Sequence, residues 1–253
     1  MTGLYLPGDS AVHRLPAQVK IVASTLFVLV VVATPRQQWA AFAVAAVLVA
    51  VAAGLARLPP RVVLRRMGVE LPFVLFALLL PFVAAGRTVP VGPLYLSEPG
   101  LWASWNVLIK STLGVACAVI LASTTAPADL VAGLARLRLP ALIVAIAGFM
   151  VRYADVVAGE VSRMRVAMAA RGFRARNVRS WPDLARSLGA LFIRTFERGE
   201  RVHRAMLSRG YDGSSTAAWA IAGGESSPGQ WARALAWPGL AAVASLLTVV
   251  ALP

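Results

Sequence analysis

Residues 19–34 read VKIVASTLFVLVVVAT, a run in which Lys20 is the one charged side chain. An apolar run of about this length is typical of a helix that crosses a bilayer, because about 17 to 25 residues span the hydrocarbon core. Similar runs follow, and we predict further spans at 38–56, 68–86, 101–124 and 232–251. The chain is therefore expected to be an all-α, polytopic membrane protein with about five transmembrane helices.

The overall composition supports this assignment. Hydrophobic residues make up 58% of the 253 residues and the mean hydropathy is +0.72, which excludes an ordinary soluble domain. The net charge of +14 does not indicate nucleic-acid binding, because 15 of the 25 Lys and Arg residues fall between Pro127 and Gln230, with acids among them. Positive charge beside membrane spans is typical of the cytoplasmic side.

The loops carry an uneven distribution of positive charge, which predicts the topology. The loop 57–67 has four Arg residues, whereas the Pro/Gly-rich loop 87–100 has only Arg87. The positive-inside rule then places the N-terminus and loop 57–67 in the cytoplasm and loop 87–100 outside the cell. We predict three regions in a cell-membrane protein: N-terminal transmembrane helices in 1–126, a cytoplasmic domain of amphipathic helices in 127–230, and a C-terminal transmembrane helix in 231–253.

The region 127–230 is the least lipid-like part of the chain. A short amphipathic segment at 127–139 is followed by a predicted helix at 140–171 and another at 181–209, with Ser180 as its candidate N-cap. The second helix has Glu-to-Arg pairs at i, i+4 spacing, Glu197 with Arg201 and Glu200 with Arg204. Its apolar face is formed by Leu184, Leu188, Leu191, Ile193 and Phe196. The two helices could pack on each other, but their charge favours docking to a soluble partner.

Two matching tripeptides close these helices, Ala170-Arg171-Gly172 and, 38 residues later, Ser208-Arg209-Gly210. In each, Gly can adopt the left-handed conformation that ends a helix, and the preceding Arg lies at the negative end of the helix dipole. One interpretation is a solvated helix end used twice. The alternative, which we favour, is a pair of guanidinium groups presented to acidic groups of a partner, since guanidinium forms bidentate, charge-assisted hydrogen bonds.

These motifs and several others resemble the transmembrane T component of energy-coupling factor transporters, a subgroup of ABC transporters that import vitamins and transition-metal ions. The resemblance covers essentially the whole chain, and its strongest part is the pair of Ala-Arg-Gly signatures, the second altered to Ser-Arg-Gly. The other matching segments are Asp9-Ser10, His13-Arg14-Leu15, Glu70-Leu71-Pro72-Phe73, Ser123-Thr124-Thr125, Leu137 to Pro140 and Arg152-Tyr153. Segments 70–73, 97–101 and 197–202 look most like the cobalt-type T component.

The resemblance implies a mechanical, non-catalytic role. In this family the T component holds two cytosolic ATPase subunits through coupling helices whose Arg residues sit in grooves of the ATPases, and it also holds a membrane-embedded, substrate-binding S component. The resemblance therefore assigns ATPase coupling to Ala170, Arg171, Gly172, Ser208, Arg209 and Gly210. It implies that the partner ATPases bind ATP and Mg, with no cofactor in this chain. The implied cargo is cobalt, with nickel or a vitamin such as biotin as alternatives.

The motifs that the sequence lacks are consistent with this role. It has no Gly-x-x-x-x-Gly-Lys-Ser/Thr loop for ATP, no motif of a membrane hydrolase or protease, and no His or Cys at metal-ligand spacing to His13 or His203. We therefore expect no catalytic residue and no metal site in this chain. An autonomous channel or carrier and a membrane enzyme stay open as other classes. The one intramembrane charge that favours a carrier is Lys110, which we interpret as structural.

Overall fold

The computed structural model describes residues 5–91, 94–173, 181–212 and 226–251. The α-helices of these residues are α1 (Ala17–Ala33), α2 (Trp39–Leu55), α3 (Pro60–Arg66), α4 (Leu71–Val83), α5 (Glu98–Thr124), α6 (Pro127–Arg136), α7 (Ala141–Ala170), α8 (Trp181–Leu207) and α9 (Pro228–Ala251). A 3-10 helix, Met67–Glu70, joins α3 to α4, and two short strands, β1 (Thr88–Val91) and β2 (Leu94–Ser97), form an antiparallel hairpin. The predicted all-α membrane fold is confirmed.

Four helices of the described residues are long and apolar enough to cross a membrane. Three of them, Pro60–Val83, Glu98–Thr124 and Pro228–Val249, coincide with predicted spans, and the fourth is α7, which the sequence analysis placed in the cytoplasmic domain. The first two predicted spans correspond to α1 and α2, apolar helices of 17 residues each, at the short end of what a bilayer requires. By length and composition, four helices of the described residues therefore qualify as membrane spans, whereas the sequence predicted five spans.

The described helices fall into two compact units. The membrane unit comprises the described residues up to Gly133 together with α9, and the hairpin unit comprises the described residues from Leu134 to Asp212. The boundary between them falls inside α6, a few residues after position 127, where the predicted cytoplasmic domain begins.

The membrane unit has a core to which four helices contribute. Phe27 and Val31 of α1 meet Phe42 of α2, Leu113 of α5 and Ala241 of α9 in a buried cluster. The outer faces of the helices also carry large, exposed apolar side chains, among them Val32, Val47, Leu78 and Leu246. A helix that is apolar on all sides is typical of a membrane protein, because lipid rather than water surrounds it.

Helices α4 and α5 approach each other closely through small residues. A Cβ atom on Gly100 would lie 2.7 Å from both the carbonyl oxygen of Leu80 and the Cα of Pro81. One turn later, the Ser104 hydroxyl donates a hydrogen bond to the carbonyl oxygen of Ala77 at 2.6 Å. Small residues and interhelical hydroxyl bonds are both typical of helix packing in membranes.

Helix α5 begins at Glu98, three residues before the start of the predicted span at 101. Ser97 caps it, since its hydroxyl oxygen accepts a hydrogen bond from the N–H of Gly100 at 3.4 Å, and Pro99 lies in the first turn. The β-hairpin that precedes it occupies the predicted external loop 87–100. That loop therefore contains regular structure that its Pro and Gly content did not indicate.

Polar groups in the membrane unit bond to neighbouring helices. The Lys110 ammonium donates to the carbonyl oxygen of Val32 at 2.7 Å, which is in the last turn of α1, where carbonyls lack intrahelical partners. The contact joins α5 to α1, and the structural interpretation of Lys110 stays a prediction. Glu70 is buried and accepts hydrogen bonds from the hydroxyls of Ser111 at 2.8 Å and Thr112 at 2.5 Å. Because an unpaired polar group is costly in lipid, these bonds hold α5 to its neighbours.

Candidate functional site

The first Arg-Gly motif ends α7 in a Schellman motif. Gly172 has a φ of +77°, the left-handed conformation, and its N–H donates to the carbonyl oxygen of Ala169 at 3.0 Å. The N–H of Phe173 donates to the carbonyl oxygen of Met168, also at 3.0 Å. A Cβ on Gly172 would meet open space, so this position favours glycine for its backbone conformation and not for packing.

The second motif repeats this geometry at the end of α8. Gly210 has a φ of +82° and donates to the carbonyl oxygen of Leu207 at 3.0 Å. The N–H of Tyr211 donates to the carbonyl oxygen of Met206 at 3.0 Å. The prediction that each glycine ends its helix in the left-handed conformation is confirmed. The repeat also includes the aromatic residue after each glycine, whose N–H closes the motif.

The side chains of the two motifs are exposed. Arg171 and Arg209 each lie immediately before their glycine, and Ala170 and Ser208 are exposed beside them. Within the described residues, neither guanidinium group makes a hydrogen bond or an ion pair. Both groups therefore keep their full set of five N–H donors for a carboxylate or carbonyl of another molecule.

Helices α7 and α8 run antiparallel where they touch. The Arg194 guanidinium of α8 lies 3.0 Å from the Glu160 carboxylate of α7. A second contact joins Met168 to Ser187, whose hydroxyl donates a hydrogen bond to the Met168 sulfur at 3.3 Å. Met168 is eight residues after Glu160 in α7, whereas Ser187 is seven residues before Arg194 in α8. Contacts that advance along one helix while retreating along the other define an antiparallel hairpin.

This arrangement separates the two Arg-Gly motifs. Arg171 follows Met168 by three residues, so it lies within one turn of the contact with Ser187. Arg209 follows Ser187 by 22 residues, which corresponds to about 30 Å along the helix at a rise of roughly 1.5 Å per residue. The two guanidinium groups therefore lie toward opposite ends of the hairpin, as two separate contact points and not as one basic patch.

Glu160 forms an ion pair that joins α7 to α8. Its carboxylate accepts hydrogen bonds from Arg163 of the same helix at 2.7 Å and from Arg194 of α8 at 3.0 Å. The sequence analysis did not single out Glu160 or Arg194. The i, i+3 spacing of Glu160 and Arg163 was a usable signal for the local pair, whereas no local pattern links two residues 34 positions apart.

The apolar face of α8 is open. Of the residues predicted to need burial, Leu188, Ile193 and Phe196 have exposed fractions of 57%, 59% and 60%. Every residue of α8 lies in the described part of the chain, and none of them is buried. The contacts with α7 thus leave most of the apolar face uncovered, which favours the prediction of an external partner over mutual packing of the two helices.

The charged face of α8 has the predicted local pairs. The Arg201 guanidinium lies 3.8 Å from the Glu197 carboxylate, and that of Arg204 lies 3.1 Å from the Glu200 carboxylate. Both pairs are exposed, so they support the helix only weakly. The candidate N-cap Ser180 lies outside the described residues.

The N-terminal segment that carried part of the resemblance forms a local ion pair. The Arg14 guanidinium donates two hydrogen bonds to the Asp9 carboxylate, both at 2.8 Å. These bonds hold the pKa of Asp9 below its usual range, through the hydrogen bond first and the charge second. The pair is exposed, and its geometry indicates a role in shaping the chain before α1.

Both ring nitrogens of His13 lie within hydrogen-bond distance of oxygen atoms in the same segment. The Ser10 hydroxyl lies 2.7 Å from Nδ1, and Nε2 lies 3.1 Å from the carbonyl oxygen of Leu6. Since the carbonyl can only accept, Nε2 carries the proton, and Nδ1 accepts from Ser10 in the neutral ring. His203 is exposed on α8. Among the described residues, no group of three or more His, Cys, Asp and Glu side chains is arranged to hold a metal ion.

Comparison with known proteins places these features in a family context. A family model described as CbiQ, cobalt transport protein, matches residues 8–219. The chain is 29% identical to the energy-coupling factor transporter transmembrane protein EcfT of Thermosediminibacter oceani over 83% of this chain and 84% of that protein. It is 29% identical to the cobalt transport protein CbiQ of Rhodobacter capsulatus over 51% of this chain and 54% of that protein. An uncharacterized protein of Methanocaldococcus jannaschii is 30% identical over 63% of this chain, which spans 58% of that relative.

Proposed function

The chain belongs to the CbiQ family and is the transmembrane T component of an energy-coupling factor transporter, and we propose that it transmits ATP-driven movement from two cytosolic ATPase subunits to a membrane-embedded, substrate-binding S component. In this proposal Arg171 and Arg209 each contact one ATPase copy. The chain itself carries no catalytic residue and is not an enzyme.

The observation that carries the proposal is the matched geometry of the two helix ends. Each presents an exposed Arg on a rigid Schellman turn, and the hairpin holds the two turns about 30 Å apart along α8. Two equal anchors at a fixed separation suit a partner that is itself a pair of similar subunits. Because the backbone at each Arg is already fixed by the helix end, binding a carboxylate has to order only the side chain.

The open apolar face of α8 supports a second contact surface along that helix. Leu188, Ile193 and Phe196 are exposed on α8, the helix that also carries the Glu-to-Arg pairs. We assign this face to packing against the assembled partners, because an exposed apolar stripe rimmed by charge is typical of an interaction site. The ATPases supply ATP and Mg binding, and Gly172 and Gly210 let the chain turn sharply after each Arg.

We propose cobalt as the cargo. The support is the CbiQ family match together with the cobalt transport protein of Rhodobacter capsulatus, although the relatives named EcfT leave nickel or a vitamin such as biotin as alternatives. On this proposal the S component, and not this chain, binds the cargo.

We propose that the N-terminus and the hairpin unit are cytoplasmic. The support is the positive charge of loop 57–67 and of the region 127–230. On this topology α7 does not cross the bilayer, although its length would allow it. Its apolar part before Arg152, residues 141–151, is shorter than the roughly 17 residues a span needs, and the charged pair of Glu160 and Arg163 follows.

The coupling role is tested by replacing both Arg171 and Arg209 with Ala. The double variant should stay in the membrane but lose the ATPases in a detergent pull-down from cells that express the whole transporter. Each truncated contact should cost about 2–5 kcal/mol, because the partner carboxylate is left buried and unpaired. The two single variants should keep partial recovery, since the other anchor remains.

The matched control replaces Arg36 and Arg87, two exposed arginines of the membrane unit, with Ala. Removing these two charges should leave ATPase recovery and uptake unchanged. Full recovery of the ATPases by the Arg171 and Arg209 double variant would contradict the coupling role. Equal losses from both double variants would point to a general effect of charge.

The topology has a separate test in a variant that lacks Cys117. A cysteine at Pro90, an exposed position of β1, should react with an impermeant thiol reagent on intact cells. A cysteine at Gly213 should react only after the membrane is opened. The reverse pattern would overturn the cytoplasmic assignment of the hairpin unit.

A further inference from the structure

The membrane unit contains a cavity of about 490 Å³ between α1, α2, α5, α9 and the segment before α1. Most of its wall is apolar, with Phe27 of α1, Leu48 and Val49 of α2, and Ile120 of α5 among the lining side chains. The volume is within the range of small-molecule sites in proteins, which is about 300–1,000 Å³. The apolar wall suits a hydrocarbon group.

Two cations line the same cavity. They are Lys20 of α1 and Arg233 of α9, and no carboxylate is among the described residues that line it. Arg233 is exposed and, within the described part of the chain, its guanidinium has no hydrogen-bond or ion-pair partner. An apolar wall with an unpaired cation at its edge matches an amphiphile that carries a negative charge.

Lys20 adds a second observation. Its side chain is buried, with 7% of the residue exposed, and its ammonium donates one hydrogen bond, to the carbonyl oxygen of Thr124 at 2.9 Å. An ammonium group has three donors, so two remain in the described residues for oxygen atoms of a ligand in the cavity.

The position of Arg233 along α9 corresponds to the membrane interface. It is the sixth residue of a 24-residue helix, about 8 Å from its start at a rise of roughly 1.5 Å per residue. Trp231 and Trp237 flank it, and the indole N–H of Trp231 donates to the Ser226 hydroxyl at 2.9 Å. Tryptophan is enriched at the level of the lipid headgroups, where the phosphate of a phospholipid lies.

We propose that this cavity binds an anionic phospholipid, with one acyl chain against the apolar wall and the headgroup phosphate at Arg233. Lys20 donates to phosphate or ester oxygens of the same lipid. A free phosphate ion would leave the apolar wall unused. A lipid without net charge would leave the positive charge of Arg233 uncompensated. The proposal does not depend on the ATPases or on the cargo, because every residue in it belongs to the membrane unit.

The test titrates the full chain, purified in a mild non-ionic detergent, with phosphatidylglycerol or with phosphatidylcholine of the same acyl chains and counts bound lipids by native mass spectrometry. We expect one phosphatidylglycerol to bind about fivefold more tightly than phosphatidylcholine. This ratio corresponds to the attraction of one Arg near the membrane surface for an anionic headgroup. Arg233→Gln should abolish this preference. Arg36→Gln, at an exposed site in the loop between α1 and α2, should keep it.

Two further arms separate the acyl chain from the headgroup. Ala236→Phe places a ring at an exposed residue of the cavity wall and should weaken the binding of both lipids. Soluble glycerol 3-phosphate should not compete with phosphatidylglycerol, because it lacks the chain. Equal binding of the two lipids, an unchanged preference in Arg233→Gln, normal binding in Ala236→Phe, or competition by glycerol 3-phosphate would each overturn the proposal.

Discussion

The membrane unit and the hairpin unit use apolar residues in opposite ways. The membrane unit buries Phe42, Val19 and other side chains completely inside a cluster of helices, and it also exposes apolar side chains outward. Helix α8 of the hairpin unit buries no residue, although its sequence has one strongly apolar face. The first unit has a buried interior, while the second leaves the apolar face of α8 exposed.

The difference shows what each unit needs in order to be stable. Helices of the membrane unit are held by close backbone approach and by interhelical hydrogen bonds, as at Gly100 and Ser104. The hairpin unit is held by ion pairs of Glu160 and by local helix caps. Substitutions at comparable residues in the two units should therefore have different consequences.

The largest effect is expected in the membrane unit, at Gly100. Gly100→Ala forces a Cβ to within 2.7 Å of the backbone of α4, so α4 and α5 must separate. We expect a loss of about 1–3 kcal/mol, measured as a lower midpoint of thermal unfolding in detergent. Gly114→Ala, in the same helix but with no atom within 4 Å of its Cβ, is the control and should not destabilise the protein. Equal behaviour of the two variants would show that close packing does not hold this unit.

A smaller effect is expected at the helix ends of the hairpin unit. Gly172→Ala and Gly210→Ala meet no steric obstacle, but each forces alanine into a positive φ at a cost of about 1 kcal/mol. Because the last turn then loosens, ATPase affinity should fall about fivefold per site in a binding titration.

Two variants serve as controls. Gly199→Ala, in the interior of α8 with equally open space, should preserve ATPase affinity. Gly172→Asn should retain a higher ATPase affinity than Gly172→Ala, because Asn tolerates the left-handed conformation. Normal ATPase affinity in both alanine variants would show that the left-handed helix ends are not needed for ATPase binding.

A still smaller effect is expected at Glu160. Glu160→Gln removes the charge that Arg163 and Arg194 share, and exposed ion pairs contribute little to stability. Hydrogen exchange should increase where α7 meets α8, with little change in the membrane unit. Asp183→Asn, which breaks an exposed pair with Arg186 inside α8, should leave the contact between the helices unchanged. A matching increase in that variant would mean that helix fraying, and not the hairpin contact, is being measured.

No effect is expected on metal binding in either unit. The isolated chain should bind cobalt or nickel no more tightly than a control membrane protein in calorimetry, because Arg offers donors but no lone pair. Replacement of both His13 and His203 with Ala should leave uptake by the assembled transporter largely intact. Stoichiometric, submicromolar binding by the isolated chain would place cargo recognition in this subunit.

Features that depend on neighbouring residues along the chain could be predicted from the sequence. The apolar runs predicted the helices that became α4, α5 and α9, because the bilayer fixes the length that a span needs. The Arg-Gly repeats predicted both left-handed helix ends, since a Schellman motif joins residues only five positions apart. The family resemblance rested on the same local motifs.

The tertiary structure alone decided the features that join distant residues. Glu160 meets Arg194, and Lys110 meets the carbonyl of Val32, through contacts that no local period encodes. The sequence by itself determined that two Arg residues end two helices. Their separation of about 30 Å follows from the antiparallel packing of α7 on α8, because helix direction is set by contacts between helices and not by the residues within either one.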